Sequence, residues 1–98
     1  MTAPVYLGDE VSAAGFRLAG AGTRTPSRGG EAAALAWARE SAPLVLVSAA
    51  VASRIAEPVL RAALLAQAPL VLVVPDRDGL VPVPDIAARL REQLGLQA

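Results

Sequence analysis

The sequence contains no cysteine, no histidine and no lysine among its 98 residues. Without cysteine there is neither a disulfide framework nor thiolate chemistry. Without histidine and lysine the chain lacks the commonest general base, the usual zinc ligands, the phosphate-loop lysine and a Schiff-base nucleophile. Carboxylates, hydroxyls, arginines and Tyr6 remain, and any metal would be a hard oxygen-bound ion such as Mg²⁺. We therefore expect no catalytic residue, no cofactor and no metal site.

Excess charge of either sign is also missing. The formal net charge is zero, and the nine basic residues form no block that would favour nucleic acid. Hydrophobic residues make up 54% of the chain, but no apolar run approaches the ~20 residues of a membrane span. Residues 1–4 show no signal-peptide pattern. These features predict a cytoplasmic protein with no nucleic-acid partner and no direct membrane insertion.

Apolar runs alternate with helical patterns along the chain. The predicted strands are Val5–Leu7, 22–25 as a weak edge strand, 43–48 and 69–75. The predicted helices cover residues 11–19, 31–40 and 49–66, with a kink or a division into two segments at Pro58. This alternation predicts a single small α/β domain with three layers, in which helices flank a roughly four-stranded parallel sheet.

The first predicted helix carries several specific expectations. Ser12 is a candidate cap for its start, and Gly20 suits its end. Phe16 and Leu18 are expected to cover the sheet. Gly15 costs up to about 1 kcal/mol relative to alanine inside a helix, so we expect it to permit close packing of helix on sheet.

The last part of the chain predicts a separate unit. Residues 1–79 would form the sheet domain, and residues 80–98 would form an extended linker and a C-terminal helix, either packed on the sheet domain or detached from it. Ile86, Leu90 and Leu94 form one apolar stripe on that helix. Periodicity alone favours burial of this stripe in the core, whereas the proline-rich linker favours docking onto a partner helix.

Acidic residues follow two of the predicted strands. Asp9 and Glu10 could be the magnesium-binding acids of a receiver-like domain, but such a site also needs an aspartate where Ser48 stands, and a lysine. A solvated turn or a polar partner contact is the favoured interpretation of this pair. Asp76 and Asp78 could hold a hard cation, although a turn closed by glycine is favoured. A receiver-like or small-ligand-binding regulator stays open as the alternative function.

Two short runs carry a family resemblance. Residues 5–10, VYLGDE, followed by residues 15–20, GFRLAG, resemble the opening of the F subunit of V-type (vacuolar/archaeal-type) ATPases, where an apolar strand precedes GDED and GF-x-LAG. Residues 70–75 resemble that family's strand before a charged turn. Val11 departs from the pattern, because it stands where the family has an acid.

This resemblance implies a non-catalytic rotor component on the central stalk of a V/A-type rotary ATPase or ATP synthase. Such a component binds the coiled-coil D subunit of the stalk and helps to couple ATP turnover to proton or sodium-ion transport, peripheral to the membrane. The resemblance implies partner contacts for the C-terminal residues Ile86, Arg89, Leu90 and Leu94. It also places Asp9, Glu10 and Arg17 on or near the strand-end surface, as further candidate contacts.

Overall fold

The computed structural model describes residues 3–77 and residue 79. Eight elements follow one another in this part of the chain: β1 (Val5–Leu7), α1 (Glu10–Leu18), β2 (Gly22–Arg24), α2 (Glu31–Ser41), β3 (Leu44–Ser48), α3 (Ala49–Ser53), α4 (Glu57–Leu65) and β4 (Leu70–Val74). The predicted linker and C-terminal helix at 80–98 lie outside the described residues.

The four strands form one parallel sheet in the order β2-β1-β3-β4. Tyr6 lies opposite Thr23 on one side and opposite Leu46 on the other, and Leu46 lies opposite Leu72. All carboxyl ends therefore lie along the same edge of the sheet. The predicted α/β fold with a four-stranded parallel sheet is confirmed.

One face of the sheet forms the main core. Alternate strand residues pack there against α2, α3 and α4: Val5, Leu7, Val45, Val47, Val71 and Val73. The helices contribute mainly alanine, with Leu35 as the largest buried side chain of α2. Because alanine side chains are small, these helices can lie close to the sheet. Alanine also accounts for much of the chain's hydrophobic content.

The opposite face is covered by α1 over β1 and β2. Tyr6 is only 2% exposed, and its ring stacks on that of Phe16 with centroids 4.3 Å apart. Helices thus lie on both faces, as the three-layer prediction requires. Towards β4 this second face is more open, because Leu46 and Leu72 are partly buried and Leu70 is 41% exposed.

The start of α1 differs from the prediction. Asp9, not Ser12, is the N-cap: its backbone is extended, and its Oδ2 accepts a hydrogen bond from the Ser12 N–H at 2.9 Å. Ser12 is the third helical residue, where a backbone N–H lacks an intrahelical acceptor and the capping carboxylate supplies one. The prediction of Ser12 as the cap was therefore wrong.

Two other expectations for α1 were also wrong. A Cβ built on Gly15 meets no atom of the described residues within 4 Å, so this glycine does not pack closely against the sheet. Leu18 is 91% exposed and does not cover the sheet, whereas Phe16 does. The predicted stop is confirmed, because Gly20 follows the helix with φ +103°, a conformation that suits glycine.

The long helical pattern after β3 is divided a few residues before Pro58, where the prediction had a kink or two meeting segments. α3 ends at Ser53 and α4 begins at Glu57, with Pro58 in its first turn. Proline is tolerated there because its missing N–H would have no intrahelical acceptor. The prediction of two segments is confirmed.

Candidate functional site

A cleft opens at the edge of the sheet where the strands end. Its volume is about 320 Å³, and parallel α/β sheets place ligand and partner sites at this edge. The residues that line it come from three strand ends, the first turn of α3 and two loops: Gly8, Asp9, Thr25, Pro26, Arg28, Ser48, Ala50, Val51, Arg54 and Asp76. The strand-end rule located Asp9 correctly, but Arg28 and Arg54 carry no sequence signal that points to this edge.

Two polar groups of the cleft stabilise the start of α3. Ser48 is 1% exposed, and its Oγ accepts a hydrogen bond from the Val51 N–H at 3.2 Å. Asp76 Oδ1 lies 3.4 Å from the Ala50 nitrogen and accepts its N–H. Among the described residues no group donates to Asp76 Oδ2, although this atom is buried. Ser48 and Asp76 thus have a structural role as helix caps.

Asp9 links β1, α1 and the turn after β4. Besides capping α1, its Oδ2 lies 3.6 Å from Arg77 Nε. The Ser12 backbone N–H and, to a smaller extent, Arg77 hold the pKa of the Asp9 carboxyl below its usual value. Burial raises the pKa of the nearby Tyr6 hydroxyl, and the carboxylates of Asp9 and Asp76 raise it further. This cluster therefore holds a fixed carboxylate beside a protonated phenol.

The cleft lacks the ligand set of a receiver-type site in the part of the chain that the structure describes. Asp9 and Asp76 are its two carboxylates, and Ser48 occupies the third strand end. Within residues 3–77 and 79, no group of three or more His, Cys, Asp or Glu residues could hold a metal ion. Asp78 lies outside the described residues.

Glu10 and Arg17 lie on the outer surface of α1. Arg17 Nη2 is 2.6 Å from Glu10 Oε1, and Arg17 Nη1 donates to Thr23 Oγ1 at 2.8 Å. The side chains of Glu10 and Arg17 are 69% and 48% exposed, respectively. The structure therefore brings Glu10 and Arg17 together. Asp9 precedes Glu10 in the chain but lines the cleft.

Sequence reasoning missed an apolar surface on α1. Val11 is 63% and Leu18 is 91% exposed, and Ala14 and Gly15 between them are exposed as well. The spacing i, i+3, i+4, i+7 puts all four on one side of the helix. That spacing was readable from the sequence, but it does not tell which side of the helix meets the sheet. We call these four residues the α1 stripe.

A second polar cluster lies at the start of α2. Glu31 has a side chain only 3% exposed, 3.5 Å from Arg54 Nη1, and its Oε1 accepts the Gly29 N–H at 2.9 Å. The backbone N–H of Glu31 itself, then that of Gly29 and the Arg54 guanidinium, hold the pKa of this carboxyl below its usual value. The cluster fixes the loop before α2 and so shapes one wall of the cleft.

Comparison with known proteins adds the following findings. Residues 5–92 match the family model described as ATP synthase (F/14-kDa) subunit. No curated protein matches the chain. In the described part of the chain, no helix is both long and apolar enough to span a bilayer.

Proposed function

Because the chain belongs to the ATP synthase (F/14-kDa) subunit family, we propose that it is a non-catalytic central-stalk component of a V/A-type rotary ATPase or ATP synthase. The family match over residues 5–92 is the observation that carries this proposal. It confirms the resemblance to the F subunit of V-type ATPases that residues 5–20 indicated. Family membership also means that other subunits of an ATP synthase complex are the expected partners.

In this role the chain helps to couple ATP turnover in the catalytic head to proton or sodium-ion transport, and it binds the D subunit of the stalk. Its place is in the cytoplasm, peripheral to the membrane as part of the complex. The polar groups in and beside the cleft agree with a non-catalytic role, since Asp9 and Ser48 in the cleft cap helices and Glu31 beside it fixes a loop. Such groups hold the scaffold in shape.

The proposed division of the domain assigns the main contact with the D subunit to residues 80–98. The turn after β4 supports this division, because the Gly79 N–H donates to the Asp76 carbonyl at 3.0 Å and Gly79 has φ +68°. This turn ends the extended run of β4 before residue 80. Beyond it, the proposal has Ile86, Leu90 and Leu94 bury against the D subunit, with Arg89 beside them.

Asp9, Glu10 and Arg17 are the proposed polar contacts on the sheet domain. Glu10 and Arg17 are exposed enough to meet a partner, and the bond from Arg17 to Thr23 already fixes the guanidinium in place. A pre-ordered side chain loses less conformational entropy when a partner binds.

Co-expression with the cognate D subunit tests this function. We expect a one-to-one complex by size exclusion with light scattering. Leu90→Asp should abolish the complex, because it buries a charge in an apolar contact, while the circular dichroism of the sheet domain stays unchanged. Leu90→Met is the matched control and should still bind. A complex that survives Leu90→Asp unchanged would contradict the assignment of the C-terminal stripe to this contact.

One observation favours the alternative of a receiver-like regulator: Asp76 Oδ2 is buried without a donor among the described residues, in the same cleft as Asp9. Titration with Mg²⁺ or an acyl phosphate, followed by Trp37 fluorescence, separates the two functions. A saturable response that is lost in Asp9→Asn would replace the stalk proposal. The stalk proposal predicts no such response.

A further inference from the structure

Two arginines of the cleft have no part in the proposed function. Arg28, in the loop before α2, is exposed and forms no ion pair with a carboxylate of the described residues. Arg54 directly follows α3, and its Nη1 lies 3.5 Å from Oε2 of Glu31. Because a guanidinium has five N–H donors, most of the donors of these two side chains are available to a ligand.

Arg28 and Arg54 line two neighbouring cavities. Both belong to the wall of the cleft, and both line an adjacent recess of about 370 Å³ together with Gly29 and Glu31. The loop before α2 and the end of α3 thus bring two positive charges to one place. The cleft, at about 320 Å³, lies at the lower end of the range for small-molecule sites, which suits a phosphate group with or without a small organic part.

The two carboxylates of the cleft are directed to protein groups. Asp9 Oδ2 accepts the Ser12 N–H at the start of α1 and faces Arg77, so its charge is offset on two sides. Asp76 Oδ1 accepts the Ala50 N–H, and its Oδ2 is buried. Neither carboxylate occupies the guanidinium donors on the other wall, so these donors can meet an anion.

From these observations we propose that Arg28 and Arg54 form a binding site for a phosphate group, carried either by inorganic phosphate or by a nucleoside diphosphate. Two guanidiniums balance the charge of a phosphate near neutral pH, and each matches two of its oxygens with parallel hydrogen bonds. The Thr25 hydroxyl in the same cleft is a further donor. Glu31, whose side chain is 3% exposed, holds Arg54 in place and so reduces the entropy lost on binding.

Titration of the isotope-labelled full-length chain with inorganic phosphate, followed by two-dimensional NMR at an ionic strength fixed with chloride, tests the proposal. We expect saturable shifts at the amides of residues 25–30 and 50–54, and none along α4. Arg28→Gln should weaken phosphate binding by about tenfold or more, because a charge-assisted pair of hydrogen bonds is lost. Arg61→Gln is the matched control, since it removes the same charge from α4 and should bind phosphate like the wild type.

Asp9→Asn distinguishes this site from one that depends on a metal ion. The substitution removes a negative charge from the cleft and keeps a good capping side chain, so phosphate should bind at least as tightly as in the wild type, even with a chelator present. A response to phosphate that needs Mg²⁺ and is lost in Asp9→Asn would overturn the inference.

The same titration with ADP identifies the source of the phosphate group. Tighter binding of ADP than of inorganic phosphate would assign the site to a nucleotide, whereas binding that is no tighter would assign it to the free ion. Shifts that do not saturate, or that Arg28→Gln and Arg61→Gln reduce alike, would overturn the inference. All these measurements use the chain without the D subunit, so their failure would leave the proposed function standing.

Discussion

At the scale of single residues, Gly8 and Gly15 have opposite roles although they are close in sequence. A Cβ added to Gly8 would overlap the phenol ring of Tyr6, which is itself held by stacking on Phe16. A residue with a side chain thus does not fit at Gly8, which directly follows β1. Gly15 has open space around it among the described residues. A glycine inside a helix lowers the stability of the fold, because it gives the unfolded chain more conformational entropy to lose.

These two sites give a matched pair of predictions. Gly8→Ala should destabilise the protein by about 1–3 kcal/mol, because the Tyr6 ring must move out of its packed position. Gly15→Ala should stabilise it by up to about 1 kcal/mol, because alanine has the higher helix propensity. Urea unfolding followed by circular dichroism measures both. A Gly8→Ala variant as stable as the wild type would contradict the close contact with Tyr6.

The carboxyls of Asp9 and Glu31 predict how stability depends on pH. Both pKa values are lowered in the folded state, so the unfolded chain binds protons more readily in acid. Their contribution is therefore complete above the unfolded values of about 4, and it is lost as the pH falls through the lower folded values.

The free energy of unfolding, measured in urea at a series of pH values, should therefore stay level from about pH 7 to pH 5 and fall below about pH 4. Asp9→Asn keeps a good capping side chain but removes the titrating group, so its acid-side decline should be shallower. Glu40→Gln is the control on an exposed residue of α2. An equal decline in Asp9→Asn and the wild type would contradict the role of Asp9.

At the scale of elements, β2 shows how a strand of low propensity is held in place. It has three residues, Gly22–Arg24, and lies at the sheet edge. On one face Thr23 accepts a hydrogen bond from Arg17 of α1. On the other face the guanidinium of Arg24 lies 3.7 Å from the centre of the Trp37 ring in α2. Side chains from two layers thus stabilise an edge strand that has little apolar surface of its own.

Replacing Arg17 should increase the local opening of β2 more than it lowers the free energy of global unfolding. In Arg17→Met the hydrogen bonds to Thr23 and Glu10 are lost, and exposed pairs of this kind contribute at most about 1 kcal/mol. Hydrogen exchange should accelerate at the amides of Gly8 and Gly22, whose hydrogen bonds join β2 to the chain around β1. Arg61→Met is the control, because Arg61 pairs with Glu57 within α4. Unchanged exchange in Arg17→Met would exclude this role.

The elements also show what could be predicted from sequence. The apolar, β-branched runs of β3 and β4 give their location and their burial on the face towards α2, α3 and α4, but not the open face towards β4, and Pro58 indicates the division of α3 from α4. The N-cap was missed because Asp9 and Ser12 are both good capping residues and only the backbone angles select one of them. The direction of Leu18 was missed because periodicity defines a stripe but not the side that meets the sheet.

The cleft was predictable only in part. Asp9 follows a clear strand, so the topology alone brings it to the carboxyl edge of the sheet. Arg28 and Arg54 reach the same cleft from loops far apart in sequence, and no local pattern indicates where such loops meet.

At the scale of the whole molecule, the scaffold and the proposed binding surfaces are largely separate. The described residues supply a core between the sheet and α2, α3 and α4. Apart from Asp9, which caps α1 and lines the cleft, the proposed contacts lie elsewhere, on the outer side of α1 and in the segment after Gly79. Polar groups of the cleft are used mainly to cap helices and fix loops. We therefore infer a rigid component that acts by being bound within a rotary complex.

Hydrogen exchange of the full-length chain, measured by mass spectrometry with and without the cognate D subunit, tests this central claim most directly. We predict that the D subunit slows exchange in residues 86–94 and 9–17, and leaves residues 48–54 at the cleft unchanged. Slower exchange confined to the cleft, or no change anywhere in the chain, would contradict it.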